Sequence, residues 1–409
     1  VISLWMLQKE AKPAVKALAK LLDDPNDHLR RTVASALAAL GHEAEEAVPA
    51  LEAALTHEDE VLRVRAAGAL GEIGDRAKAA AKALNKAMEP SNKMPLRVQA
   101  AQALWAIQGQ TQDVVRVLSE GVKDKDLERD SRLSAAVTLG KIAEKNTAAD
   151  LLAAHAVPVL REGLADADDS VRAIAAETLG GLGALARPAL HGLIQLLENR
   201  EAEIRAVAAE ALGKIAEAEA KGTKGIRARI AYPTLLFLSK TEPNPVTRQV
   251  VSQALTKVGR PGTGDVDTLL DVVEGKDVDK DSGLSFRTVA AQALGMTGLA
   301  GKEVKGHLKR ITKSLQDPEP AIRTLIAYAM SDFGDDGRDA IPDLRERYQK
   351  DEDAGVRTAV IYALGEIGQY VRDPAIRAQV EATLTPALQD PDKNVQQTAK
   401  EALKKVRGK

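Results

Sequence analysis

Val171-Arg172-Ala173-Ile174-Ala175-Ala176-Glu177-Thr178-Leu179-Gly180 returns 33 residues later as Ile204-Arg205-Ala206-Val207-Ala208-Ala209-Glu210-Ala211-Leu212-Gly213. The shared pattern is an apolar residue, Arg, two variable positions, two small ones, one variable, one small, then Leu. Aligned on that Leu, the pattern recurs along the chain and places Arg30, Arg63, Arg97, Arg132, Arg172, Arg205, Arg248, Arg287, Arg323 and Arg357 in one column. An eleventh copy carries Gln396 instead, and successive copies lie 33 to 43 residues apart. Self-similarity of this period is the mark of a stacked-repeat architecture.

A second column precedes each arginine by six residues, in a polar turn. It reads Asp24, His57, Ser91, Asp126, Asp166, Asn199, Glu242, Asp281, Asp317, Asp351 and Asp390. Upstream of each turn runs another apolar stretch at helical spacing, such as Leu190, Leu193, Ile194 and Leu197. Several of these stretches begin with proline, at Pro49, Pro158, Pro188, Pro233 and Pro342, where a helix tolerates it in its first turn. Each unit therefore reads as helix, turn, helix. A lone helical hairpin cannot bury its apolar face, so the units must stack. Small residues at the paired-alanine positions let the second helices approach closely. The arginines are expected to reach turn carboxylates of their own or the next unit, as a charge-assisted ladder. An anion-binding row is the competing use of ten aligned cations, and the ladder is the preferred one.

The composition fits such a stack. The chain has 409 residues, no cysteine, 44 % hydrophobic and only 2 % aromatic residues, so its core is aliphatic. Without cysteine, disulfides, thiolate nucleophiles and Cys-ligated metal sites are excluded. Lys+Arg number 57 against Asp+Glu 59, and no 50-residue block departs from neutrality by more than two charges. That balance argues against a dedicated nucleic-acid or membrane-surface binder. No apolar run is long enough for a transmembrane helix, so no membrane insertion is expected.

The repeated Asp–Arg register and the endings Ala69-Leu70-Gly71-Glu72-Ile73-Gly74 and Ala363-Leu364-Gly365-Glu366-Ile367-Gly368 resemble the HEAT-repeat family. The likeness is closest to its short bacterial, phycobilisome-lyase-like form, and it covers essentially the whole chain. It implies an all-α, right-handed solenoid of about eleven helical hairpins, one domain over residues 1–409. At roughly 10 Å per helix layer the stack would be on the order of 100 Å long. Residues 374–409, with Gln396 and a lysine-rich end, read as a polar capping repeat. Residues 1–8, in which Trp5 matches Trp105, read as the remnant of a preceding repeat, so the chain is expected to be a piece of a longer protein.

The irregularities of the repeat hold the residues with chemical potential. The junction after Glu217 holds Lys221, Lys224, Arg227 and Arg229, read as a solvated loop in preference to an acidic-partner site. Asp277-Val278-Asp279-Lys280-Asp281 begins like a calcium loop, but Ser282 and Thr288 stand where the template needs Gly and Glu. HEAT-type deoxyhypusine hydroxylases hold two irons through His-Glu pairs on second helices. Here His42-Glu43 and His57-Glu58 fall in turns, so no metal site and no cofactor are expected. HEAT-like DNA glycosylases use a basic concave face, which the even charge and scarce aromatics disfavour, so no nucleic acid is expected as a partner. No phosphate loop or hydrolase triad is present, and no catalytic residue is assigned.

What remains is surface. On the second helices two variable positions form an i, i+4 stripe, with Tyr328 and Tyr362 in one column and Asp332 and Glu366 in the other. Tyrosine is enriched at binding hot spots, so these four residues are the candidate partner site. Packing of the two tyrosines between layers is the alternative. Trp105 replaces a glycine found in six other copies, and either fills a gap or contacts a partner. The expected function is a non-enzymatic protein-interaction scaffold that binds a partner protein along its concave face. Alternatives are a bilin-lyase-like or chaperone-type protein, or an architectural subunit of a larger assembly. The sequence does not fix the compartment; the cytoplasm is favoured, with an exported form left open.

Overall fold

The computed structural model describes residues 12–145, 148–222, 227–276 and 284–408, and every regular element among them is helical. Residues 1–8 with Trp5, Lys224, and the stretch 277–283 with Asp281 lie outside the described residues. The described residues form two compact units that divide between Ala189 and Leu190.

In the first unit the second helices Asp27–Leu40, Glu60–Ile73, Met94–Gln108, Arg129–Glu144 and Asp169–Leu182 pack in a row, each on the next. The shorter helices Val48–Ala54, Ala81–Ala87, Gln112–Lys123 and Val157–Gly163 each cover the second helix of their own hairpin. In the second unit Ala202–Ala220 packs on Pro245–Val258. Leu284–Gly295, Pro320–Met330, Ala354–Tyr370 and Lys393–Arg407 form a further row. Leu284–Gly295 rests on Tyr232–Thr241 on its other side, so the row of second helices changes neighbours there.

The turns explain why the helices begin where they do. Asp59, Asp168, Asn244, Asp373 and Asp392 each cap a second or first helix by accepting two backbone N–H groups. A cap of this kind is worth about 1 kcal/mol, because those donors have no partner within the helix. Termination is equally local. Gly74 sits at φ 70°, a conformation that Cβ-bearing residues avoid, and a short 3₁₀ turn follows it. The core is aliphatic as the composition requires: among the described residues only Phe286 and Phe333 are aromatic side chains in the buried hydrophobic set.

The glycine of the repeat ending serves close approach between layers. A Cβ built at Gly365 would lie 2.5 Å from Ala402 Cβ and 2.9 Å from Ala402 Cα. Helix Ala354–Tyr370 therefore meets Lys393–Arg407 backbone against side chain, with no room for a methyl group.

Candidate partner-binding surface

Each column arginine sits one turn into its second helix, close to the turn that precedes it. From there the guanidinium can reach two places. Arg205 donates to the carbonyls of Asn199 and Arg200 in its own turn, and to both carboxylate oxygens of Glu242 in the next. Arg323 repeats the arrangement with Asp317 and Pro318 carbonyls and the Asp351 carboxylate. Arg357 does so with Asp351 and Glu352 carbonyls and with Asp390. Arg287 pairs with Asp317, and Arg132 reaches Asp166 at 3.4 Å. The turn carboxylates are themselves fixed, because Asp166, Glu242, Asp317, Asp351 and Asp390 each accept the N–H two residues on. Arg172 and Arg248 hold carbonyls of their own turns, and Gln396 donates to the Asp390 carbonyl that an arginine would use.

Four positions depart from this register. Arg30 stays within its repeat, on the Asp24 carbonyl and the Asp27 carboxylate, and neighbouring Arg31 crosses to Asp59 instead. Arg63 meets a neutral acceptor, Asn92, at 3.4 Å, since His57 and Ser91 supply no carboxylate. Arg97 turns to Glu120 on the next hairpin's first helix. Asp126 is exposed and receives no guanidinium, because Asp124 has taken over the capping of that turn. Arg31, Asp59 and Glu120 stand outside the repeat columns, which is why the sequence pattern does not show these two pairs.

Tyr328 and Tyr362 come together. Their ring centroids are 5.7 Å apart at an interplanar angle of 59°, and the residues are 41 % and 38 % exposed. Each ring is thus partly covered by the other's layer and partly open to solvent. Glu366 is half-covered and paired with Lys405, whose ammonium also lies 5.3 Å from the Tyr362 ring centroid. Gln369 donates to the same carboxylate. Asp332 is exposed, one turn beyond Tyr328. Burial raises the Tyr362 phenol above its ordinary range, with Glu366 adding to the effect and Lys405 opposing it. The sequence places Lys405 in the lysine-rich capping end; it lies 39 residues past Glu366, in the same register of the next repeat, and so continues the stripe.

Tyr328 also belongs to an open cleft of about 560 Å³. Phe237, Met296, Leu325 and Tyr328 supply its apolar walls, and Ala291, Gly295 and Ala329 keep its floor low. Phe237 is 65 % exposed on helix Tyr232–Thr241. Helix periodicity gave no sign of this cleft, because it depends on Leu284–Gly295 packing against that first helix.

The other candidates have structural occupations. Trp105, in the first unit, is half-buried with Lys145 above its ring at 4.9 Å. Arg229 of the basic loop is bound to buried Asp265. His42 contacts the Ile73 carbonyl at 2.7 Å, and His57 accepts the Asp59 N–H. Among the described residues no group of three or more His, Asp or Glu side chains is placed to hold a metal, and no helix is long and apolar enough to cross a membrane.

A family model described as HEAT repeats matches residues 15–105, 157–256 and 280–365. No curated protein matches the chain. Among solved structures, an engineered protein from the Northeast Structural Genomics Consortium is 20 % identical, with 96 % of this chain and 98 % of that one covered and a TM-score of 0.39. Importin beta is 15 % identical, with 98 % and 58 % covered and a TM-score of 0.45. The karyopherin Kap121p, solved with the extreme C-terminus of the phosphatase Cdc14p, is 16 % identical, with 97 % and 49 % covered and a TM-score of 0.39.

Proposed function

Because the chain belongs to the HEAT-repeat family and folds as an all-α solenoid, we propose that it is a non-enzymatic scaffold whose second unit binds a partner protein. The observation that carries this reading is the exposed Tyr328–Tyr362 pair on consecutive repeats. Two rigid aromatic rings at one spot offer large contact area at small entropic cost, the composition of a binding hot spot. Glu366 and Lys405 beside them are already paired with one another, so they preset the charge pattern that a partner meets.

A photo-crosslinking residue at position 362 tests the proposal. A discrete protein adduct is expected, and the Tyr328→Ala/Tyr362→Ala variant, matched in melting temperature, should bind the captured partner at least about tenfold more weakly. Undiminished binding by the double variant would overturn it. A bilin-lyase or chaperone role is the second reading, and the apolar cleft beside Tyr328 is the feature that favours it. A shift in the absorbance of an added linear tetrapyrrole, lost on Met296→Glu, tests that role.

A further inference from the structure

The cleft beside Tyr328 has a wall composition that defines a ligand class. Its apolar side chains, Phe237, Met296, Leu325 and Tyr328, come from two helices and from the turn that follows Leu284–Gly295, and Thr234 and Gln292 add polar groups to the lining. Glu198 is the only charged side chain on its wall, and it is exposed with no ion pair among the described residues. Asp332 adds a second carboxylate one turn past Tyr328, also exposed and without an ion pair among the described residues. An opposing charge stands on the same helix as Phe237: Lys240, a turn further on, is exposed. The lining is thus aromatic and aliphatic with one carboxylate, Glu198; Asp332 and Lys240 stand beyond it on the elements that carry Tyr328 and Phe237, and Lys405 beside Tyr362 is taken up by Glu366.

The geometry points to a docking site for a peptide segment of the partner, in which one bulky apolar side chain enters the cleft and an adjacent Lys or Arg meets Glu198 or Asp332. This assignment rests on the scaffold reading above and specifies its partner. An open apolar cleft with a polar rim fits an anchor side chain presented by a chain that continues past it. The cavity volume falls in the range of small-molecule sites as well. The open side and the unpaired carboxylates favour the peptide, since an uncharged ligand would leave both carboxylates unused.

The test uses the full chain and short fluorescent peptides read by polarisation. One set carries a central Leu, Phe or Trp flanked by Lys and Arg; a second has the same centre flanked by Glu; a third keeps the basic flanks around Ser. The first set should bind at least about tenfold tighter than either other set. Met296→Glu should abolish that binding, Asp332→Lys should weaken it and Lys240→Glu should strengthen it. Both charge changes lie at exposed positions, so melting temperature should be unchanged. Equal binding of the basic and acidic sets, indifference to the central residue, or no binding by the intact chain would each overturn the assignment. So would uptake of a free tetrapyrrole with no peptide bound. If crosslinking at position 362 still yields a partner while no peptide enters the cleft, the scaffold reading survives and this assignment alone falls.

Discussion

Arg205 holds Glu242 by both carboxylate oxygens, at 2.6 and 2.7 Å, across 37 residues of chain. The Glu242 side chain is fully covered, and that of Arg205 is only 12 % exposed. A carboxylate taken out of water is tolerable because the fork satisfies it, together with the Asn244 N–H. The pair therefore joins two repeats through a bond that neither repeat could make alone.

Arg205→Ala should destabilise the protein by about 3 kcal/mol, most of it the cost of leaving Glu242 buried without its cation. Arg205→Lys should recover only part of this, since an ammonium cannot reproduce the planar fork. Arg205→Ala/Glu242→Gln should cost less than Arg205→Ala alone. Urea denaturation midpoints of the three variants check the ordering; an additive double variant would contradict it.

Acid should loosen the stack. The Arg205 hydrogen bond holds Glu242 below the usual carboxylate range. At Asp351 and Asp390 burial is the largest influence and pushes the other way, but the hydrogen bonds from Arg323 and Arg357, the backbone N–H groups of Asp353 and Asp392 and the arginine charges together outweigh it, and the result is again a lowering. A folded-state pKa below the unfolded one contributes stability that is complete above the unfolded value, about 4, and is lost as pH falls towards the folded value. Asp343 acts in the opposite sense, raised by burial and by Glu346. With the lowered carboxylates in the majority, melting temperature should drop below about pH 4. Glu242→Gln should make that drop shallower, and an unchanged acid limb in this variant would count against the pair.

Gly365→Ala sets two effects against each other. Replacing a helix-interior glycine gains about 1 kcal/mol of helix propensity. The new methyl, however, meets Ala402 at 2.5 Å, and overpacking costs about 1–3 kcal/mol. A net loss of stability is expected, and Ala402→Gly in the same molecule should return part of it. Calorimetry on the two single variants and the double variant measures the coupling directly.

Lys405→Ala should raise the phenol pKa of Tyr362 further above its ordinary value, because it removes the one cation that favours the phenolate there and leaves Glu366 unopposed. Ultraviolet titration of the variant, with Tyr362→Phe as the subtraction, gives the shift. A fall in the pKa would show that Lys405 does not stand over the ring.

The repeat unit was legible because it depends on local chemistry repeated many times. An arginine six residues past a turn carboxylate can reach only its own turn or the next one, so Arg323, Asp351, Arg357 and Asp390 could be placed from spacing alone. The stripe containing Tyr328 and Tyr362 followed from helical periodicity in the same way. What was not legible depends on departures from the repeat. Arg31–Asp59 and Arg97–Glu120 use residues outside the columns, and the cleft needs Phe237 from a first helix that no period pairs with Met296.

The unequal junctions give the stack a mechanical character. Arg31 on Asp59, Arg205 on Glu242, Arg323 on Asp351 and Arg357 on Asp390 are two-pronged ionic clasps. Arg63 on Asn92 is a single stretched contact with an uncharged amide. Loaded end to end in a force spectrometer, such a chain is a spring with leaves of different stiffness, and in its first unit the ladder contact of Arg63 on Asn92 should part before the clasp of Arg31 on Asp59.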